Sequence, residues 1–288
     1  MAKKATNPTQ SLKIPQFIII SSKICAFIST KLATKYAAKL FTTPIKHKVP
    51  KRELEMDHKS IQKTIYVPAI NKNIVTYEYG KSRQKILLVH GWSGRGTQLF
   101  KIADELLQNG YTTVSFDAPA HGKSEGKTTI MSDFIESILE IEKHYGPFEF
   151  AIGHSLGGMS VLNAIKDGLK VKKAIIIGSG DIVQDILDDF IYKLGLKPEM
   201  STLLCTYFEN KYQTKMDHYS AYRAASQVKI PVLVIHDNHD PEVSVKAGIH
   251  IHEHLENGTL LLTDNLGHRK ILGNQNVIKK IIDFIKNT

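Results

Sequence analysis

The run Gly153-His154-Ser155-Leu156-Gly157 sets a serine between two glycines, after an apolar run at 148–153 and before a helical stretch that opens at Leu156. Such a strand-turn-helix corner exposes a hydroxyl above the amide groups of the helix N-terminus, where developing negative charge is favoured. Flanking glycines suit it, because side chains there would collide with the neighbouring strand and helix. An alcohol attacks poorly at neutral pH, so it needs a base, a group that orients the base, and donors for the oxyanion. Each has a candidate. His268, in Asn265-Leu266-Gly267-His268 after the apolar run 259–263, would take the Ser155 proton and return it to the leaving group. Asp240, just after the run 231–236, would fix its tautomer and stabilise the imidazolium. The backbone N–H groups of Leu156 and of Trp92, in the loop after the run 86–90, are the oxyanion donors expected. The chemistry is acyl transfer through a covalent serine intermediate, with no cofactor and no metal required.

Other residues compete for these roles. Asp237 lies three residues before Asp240 and could instead close the turn. Asp181 follows an earlier strand, but Asp181-Ile182-Val183-Gln184 reads as a capping box that starts a helix. His154 belongs to the turn itself. His250 and His254 share one face of a helix, with His252 opposite, and a zinc site there lacks a third ligand. Trp92 either lines the mouth of a pocket or simply packs.

These residues need elements that bring them to one edge. Residues 61–68 and 73–79 pattern as a hairpin around Asn71-Lys72-Asn73. Apolar runs rich in β-branched residues follow at 86–90, 112–117, 148–153, 174–178, 231–236 and 259–263. Helical stretches lie near 97–109, 131–145, 156–168, 243–255 and 270–286. Apolar strands alternating with helices predict a mostly parallel sheet of about eight strands, covered on both faces, with the hairpin as an antiparallel edge. Ser155, Asp240 and His268 all fall after strands, at the edge where open α/β sheets bind ligands. The interval 181–229 is far longer than a crossover needs, which predicts a cap of two to four helices. Its Phe190, Tyr192, Tyr207 and Phe208 either line an acyl pocket or form a small core of their own.

Composition is that of a soluble enzyme, 42% hydrophobic and 23% charged in 288 residues. Two cysteines, Cys25 and Cys205, give neither a disulfide framework nor a cysteine metal site, which fits a reducing compartment. The formal charge of +10 is confined to one end. Residues 1–52 hold 11 Lys and Arg and no acid, while the remainder is close to neutral. A basic stripe away from the site argues against a nucleic-acid partner. The chain divides into a basic arm and linker at 1–59 and a body at 60–288. From Ile14 to Phe41 the arm reads as one helix, with Phe17, Ile20, Ile24, Phe27 and Leu32 on an apolar face and Lys31, Lys35 and Lys39 in a stripe. The stretch Phe17 to Ile28 is too short to span a bilayer and is interrupted by Lys23. A secretory leader is disfavoured for want of a clean cleavage site. The expected location is cytoplasmic, with the arm either docked on the body or lying on the anionic inner face of the membrane.

Five blocks carry a resemblance: HGWSG at 90–94, DAPAHGKS at 117–124, GHSLGG at 153–158, IHDNHDPEV at 235–243 and LGH at 266–268. In that order, over residues 60–288, the chain resembles the α/β-hydrolase family, in its esterase and lipase-like branch. The resemblance implies a Ser155–Asp240–His268 triad and an oxyanion hole at Trp92 and Leu156. It also implies that Asp117, His121 and Gly122 shape the adjoining loop without taking part in chemistry. Ala120 departs from the family, which usually has glycine there. The activity implied is hydrolysis of a small carboxylic ester or thioester. The same triad on an amide or carbon–carbon bond, perhydrolysis, and a non-catalytic binding protein are the alternatives.

Overall fold

The computed structural model describes residues 14–287, so the basic start of the arm, with Lys3, Lys4 and Lys13, lies outside the described residues. Eight strands form one sheet: β1 Ile61–Val67, β2 Lys72–Tyr79, β3 Lys85–Val89, β4 Thr112–Asp117, β5 Phe150–His154, β6 Lys173–Ile177, β7 Val232–Asp237 and β8 Gly258–Thr263. Their order is β1-β2-β4-β3-β5-β6-β7-β8. The hairpin β1–β2 joins β4 antiparallel, and every later pairing is parallel. The runs β3, β4, β5, β6 and β7 form the middle of this sheet and are buried along almost their whole length, with Thr112, Thr113 and Ser115 of β4 as buried hydroxyls among the apolar side chains.

Twelve α-helices accompany it among the described residues. In the arm are α1 Gln16–Ile28, α2 Thr30–Phe41 and α3 Leu54–Lys59; along the body are α4 Phe100–Gln108, α5 Met131–Tyr145 and α6 Leu156–Lys166. The interval after β6 holds α7 Val183–Lys193, α8 Glu199–Tyr212 and α9 Ala221–Ala225, followed by α10 Val245–Glu253, α11 Gly267–Lys270 and α12 Gln275–Lys286. Two apolar layers enclose the sheet. One contains Ile102 and Leu106 of α4 with Ile278 and Ile281 of α12. The other joins Phe134 and Ile138 of α5, Val161 of α6, Leu187 and Leu204 of the cap, and Ala33, Ala37 and Ala38 of α2.

Three local readings change. The arm is two helices, because Ser29 is extended (φ −164°, ψ 131°) and caps α2 by accepting the Leu32 N–H. The break lets α2 turn its small residues Ala33, Ala37 and Ala38 inward while α1 buries only Ser22. The C-terminal helix starts at Gln275, capped by Asn274, not at 270. The segment before it is the one-turn helix α11, so His268 stands on a helical turn instead of a loop. Asp181 caps nothing at α7: the Val183 N–H donates to Ser220 Oγ, and Asp181 accepts from the Tyr222 N–H at the start of α9. A carboxylate within one residue of a helix start was satisfied across the cap, not locally.

Candidate active site

The turn at Ser155 is as tight as its glycines require. Ser155 has φ 55° and ψ −122°, a conformation uncommon for a residue with a side chain. A Cβ on Gly153 would stand 2.3 Å from the Gly157 carbonyl oxygen, and one on Gly157 would stand 2.4 Å from that of Val89. Both obstacles are backbone, so neither position accepts a side chain. The Ser155 N–H donates to the Ile177 carbonyl of β6 at 2.9 Å, which fastens the corner to the neighbouring strand.

Asp240 and His268 meet above the same strand ends. His268 Nδ1 donates to Asp240 Oδ2 at 2.7 Å, with both side chains buried. The other carboxylate oxygen accepts from the N–H groups of Glu242 and Val243 at 2.8 and 3.0 Å. Burial by itself would raise the Asp240 pKa, but the bond to His268 and these two amides hold it below the usual carboxylate range. The carboxylate is therefore ionised at neutral pH. His236, on β7, stands 3.6 Å from Asp240 Oδ2 and donates its own Nε2–H to the Val243 carbonyl. Nothing in the sequence marked it beyond its place four residues before Asp240.

His268 is tied to the corner as well. His154 Nε2 donates to the His268 carbonyl at 2.9 Å, and the two rings lie 4.6 Å apart. Gly178, at the end of β6, has φ 55°, and a Cβ there would approach His268 Nδ1 to 3.2 Å. His154 thus packs beneath the turn, its pKa pushed well down by burial. The structure brings Asp240 to His268 and holds both at the strand ends beside Ser155. Ser155 Oγ makes no hydrogen bond among the described residues, and such bonds commonly tighten only when substrate binds.

The loop that carries Trp92 reaches this corner directly, since a Cβ on Gly91 would meet Ser155 Cβ at 2.9 Å. The Trp92 and Leu156 amides donate to no protein group among the described residues. Leu156 opens α6, where the first N–H groups have no partner within the helix. The next residue, Ser93 (φ 55°), is clamped: its N–H donates to His121 Nε2 at 3.0 Å, and its Oγ accepts from the Ile45 N–H at 3.0 Å. Trp92 is half-buried, with its ring edge-on to His121 at 5.4 Å.

Asp117, His121 and Gly122 build the support. Asp117 is fully buried and accepts from Gly96 N, Lys123 N and Tyr77 Oη at 2.7, 2.7 and 2.8 Å. Gly122 has φ 42° beneath it, and a Cβ there would stand 2.1 Å from the carboxylate. Ala120, where the family's usual glycine is missing, nonetheless takes the left-handed conformation, φ 65°.

The rival residues are engaged elsewhere. Asp237 accepts from Thr263 Oγ1 and from the N–H groups of Leu266 and His239, which fixes the turn leading to His268. Asp181 Oδ2 lies 2.5 Å from His250 Nδ1 and so ties α10 to the root of the cap. No group of three or more metal-ligating side chains occurs among the described residues. In the cap, Phe190 and Phe208 pack against Phe41 of the arm at 5.1 and 5.6 Å, whereas Tyr192 is 82% exposed.

Glu53, like His236, was missed for want of any local signal. Glu53, in the linker, is 2% exposed and accepts from Arg95 Nη1 and Thr97 Oγ1, both at 2.9 Å. Together with Ile45 it anchors the arm to the Trp92 loop.

Residues 85–200 match the family model described as the alpha/beta hydrolase fold, and residues 195–288 match one described as TAP-like protein. The chain belongs to the α/β-hydrolase fold family. Over 114 residues, 35% of this α/β-hydrolase and 36% of its relative, it is 34% identical to the monoglyceride lipase of Saccharomyces cerevisiae. The match thus spans about a third of that relative's length. The crystal structure of a putative lipase from Acinetobacter baumannii is similar with a TM-score of 0.63 and 18% identity, over 83% of this chain and 96% of that one. The crystal structure of a membrane phospholipase A, a bacterial virulence factor, is similar with a TM-score of 0.63 and 14% identity, over 95% of this chain and 97% of that one. Coverage that high takes in arm as well as body.

Buried histidines give the hydrolase an acid-sensitive fold. Burial pushes His90 down to about 4 and His121 down to about 3. Each donates Nδ1–H to a carbonyl and accepts an amide on Nε2, which requires the neutral ring. The unfolded rings bind protons near pH 6.5, so the unfolded chain holds more protons than the fold in the acid range. Stability is complete above about pH 6.5 and falls as the pH drops toward 4 and 3. Between pH 7.5 and 5 the expected loss is about 2 kcal/mol for each ring. Urea unfolding midpoints at the two pH values measure it, and equal midpoints would contradict it.

Proposed function

We propose that this α/β-hydrolase cleaves a carboxylic ester or thioester through an acyl-serine intermediate. The observation that carries the reading is the 2.7 Å bond from His268 Nδ1 to an ionised Asp240, at the strand ends where Ser155 occupies its strained turn. With Nδ1–H donated to Asp240, the neutral His268 ring keeps Nε2 free to act as base toward the Ser155 hydroxyl. It takes that proton as Oγ attacks the carbonyl carbon, and the Leu156 and Trp92 amides receive the charge that moves to the carbonyl oxygen. The imidazolium, stabilised by Asp240, protonates the departing alcohol or thiol. Water then repeats the cycle on the acyl-serine and releases the acid. Of the two leaving groups, the alcohol is favoured by what relatives are named for, monoglyceride lipase and membrane phospholipase A, which points to an acylglycerol-type ester.

A fluorophosphonate probe tests this. It is expected to label the folded protein at Ser155, found by mass spectrometry of the peptide, and to spare both Ser155→Ala and heat-unfolded protein. Labelling undiminished in Ser155→Ala would overturn the assignment.

A further inference from the structure

We infer that α1 and the adjoining edge of the cap form a docking face for an anionic phospholipid surface. The arm separates two faces cleanly. Inward, Ser22 of α1 and Ala33, Thr34, Ala37 and Ala38 of α2 are buried against the body. Outward, α1 presents Phe17, Ile20, Ile24, Phe27 and Ile28 at helical spacing, and Phe27 is 94% exposed. Soluble proteins seldom leave so many large apolar side chains together in water.

The apolar face continues onto the cap. A groove of about 560 Å³ runs between α1 and the α7–α8 turn, lined by Lys23, Ala26, Phe27, Gly195, Met200 and Leu203. A second cavity of about 600 Å³, which includes the exposed Tyr192, shares Leu196 and Glu199 with it. Neither touches Ser155, Asp240 or His268; the groove beside α1 carries Lys23 and Lys197, whereas the second cavity, lined by Asp188 and Glu199 without a cation, stands at the margin of the docking face.

Charge selects the occupant. Residues 1–52 carry 11 cationic side chains and no carboxylate. Lys31, Lys35 and Lys39 are exposed on the side of α2 opposite its buried face, and Lys23 lies among the outward residues of α1. Among the described residues none of these four forms an ion pair. Glu199 is the carboxylate lining the groove, with Lys23 and Lys197 beside it. Apolar side chains in the acyl boundary with lysines among the headgroups is how an interfacial helix binds. A second copy on the same face would bring two such cationic arms together and be repelled. With α1 of 13 residues, no helix among the described residues is long and apolar enough to cross a membrane, so the geometry is that of a helix lying on the surface.

Flotation of the full chain with vesicles tests the docking without any turnover, so it stands or falls apart from the proposed chemistry. Wild type and Ser155→Ala are both expected to float with phosphatidylglycerol–phosphatidylcholine vesicles, and far less with phosphatidylcholine alone. Ile24→Glu with Phe27→Glu is expected to lower partition at least tenfold. Replacing Lys31, Lys35 and Lys39 by glutamine should lower it about a hundredfold on the anionic vesicles only. Both variants should keep wild-type thermal unfolding and turnover of a soluble nitrophenyl ester. Equal partition of wild type and the folded apolar variant would overturn the inference. So would a change from dimer to monomer in that variant with vesicle binding untouched, which would assign the face to a second copy.

Discussion

Ser155→Gly is expected to abolish ester turnover while making the protein more stable. Removing the nucleophile should lower kcat by about 10⁶-fold, leaving only what binding and the oxyanion donors supply. The stability gain has a separate origin. Ser155 holds φ 55° and ψ −122° because the Gly153–Gly157 contact and its bond to Ile177 leave the chain no other path. A side chain in such a region costs on the order of 1–3 kcal/mol, and glycine releases that strain while adding about 0.5–1 kcal/mol of unfolded-chain entropy. The net expectation is a gain of about 1 kcal/mol, read from urea denaturation. Ser155→Ala keeps the strain, so it should lose the same activity without the gain. A Ser155→Gly protein no more stable than Ser155→Ala would show that the turn is unstrained.

The second large effect separates three carboxylates. Asp240→Asn should lower kcat for a nitrophenyl ester by about 10⁴-fold, because the amide no longer holds the His268 tautomer or balances the imidazolium. The fold should survive, since the replacement keeps an oxygen to accept the Glu242 and Val243 amides. Asp181→Asn leaves His268 untouched and alters only the ties to Tyr222 and His250, so kcat should stay within a few-fold. Asp237→Asn should show mainly as lost stability, through its bonds to Thr263 and Leu266. Equal kcat losses for Asp181→Asn and Asp240→Asn would remove Asp240 from the role given to it.

What was legible in the sequence was what local chemistry dictates. The β-branched runs read as strands of one sheet, covered except at the edge strand β8, and the glycines beside Ser155 and below Asp117 stand where a Cβ would strike backbone or a buried carboxylate within 2.4 Å. The placement of His268 and Asp240 at one edge was readable because each follows a strand of that sheet. What was not legible depends on partners far along the chain. The arm breaks at Ser29 with no glycine or proline to mark it, because its halves answer to different surroundings: α2 to the cap, α1 to none of the body on its outer side. Asp181 had the spacing of a capping box and found Tyr222 and His250 instead. Glu53 looked like one charge in a surface linker, and only the folded chain brings Arg95 and Thr97 to it.

The arm's attachment also sets an order of assembly. Phe41 is made early, but its partner rings Phe190 and Phe208 come later by about 150 and 170 residues. At ribosomal rates of about 5–20 residues per second, α2 waits roughly 10–30 s for the surface it covers. During that interval the small-residue face of α2 is uncovered along with the apolar face of α1, which stays exposed in the fold. The segment that finally straps the cap to the Trp92 loop is thus left without its partner rings while the rest is being synthesised.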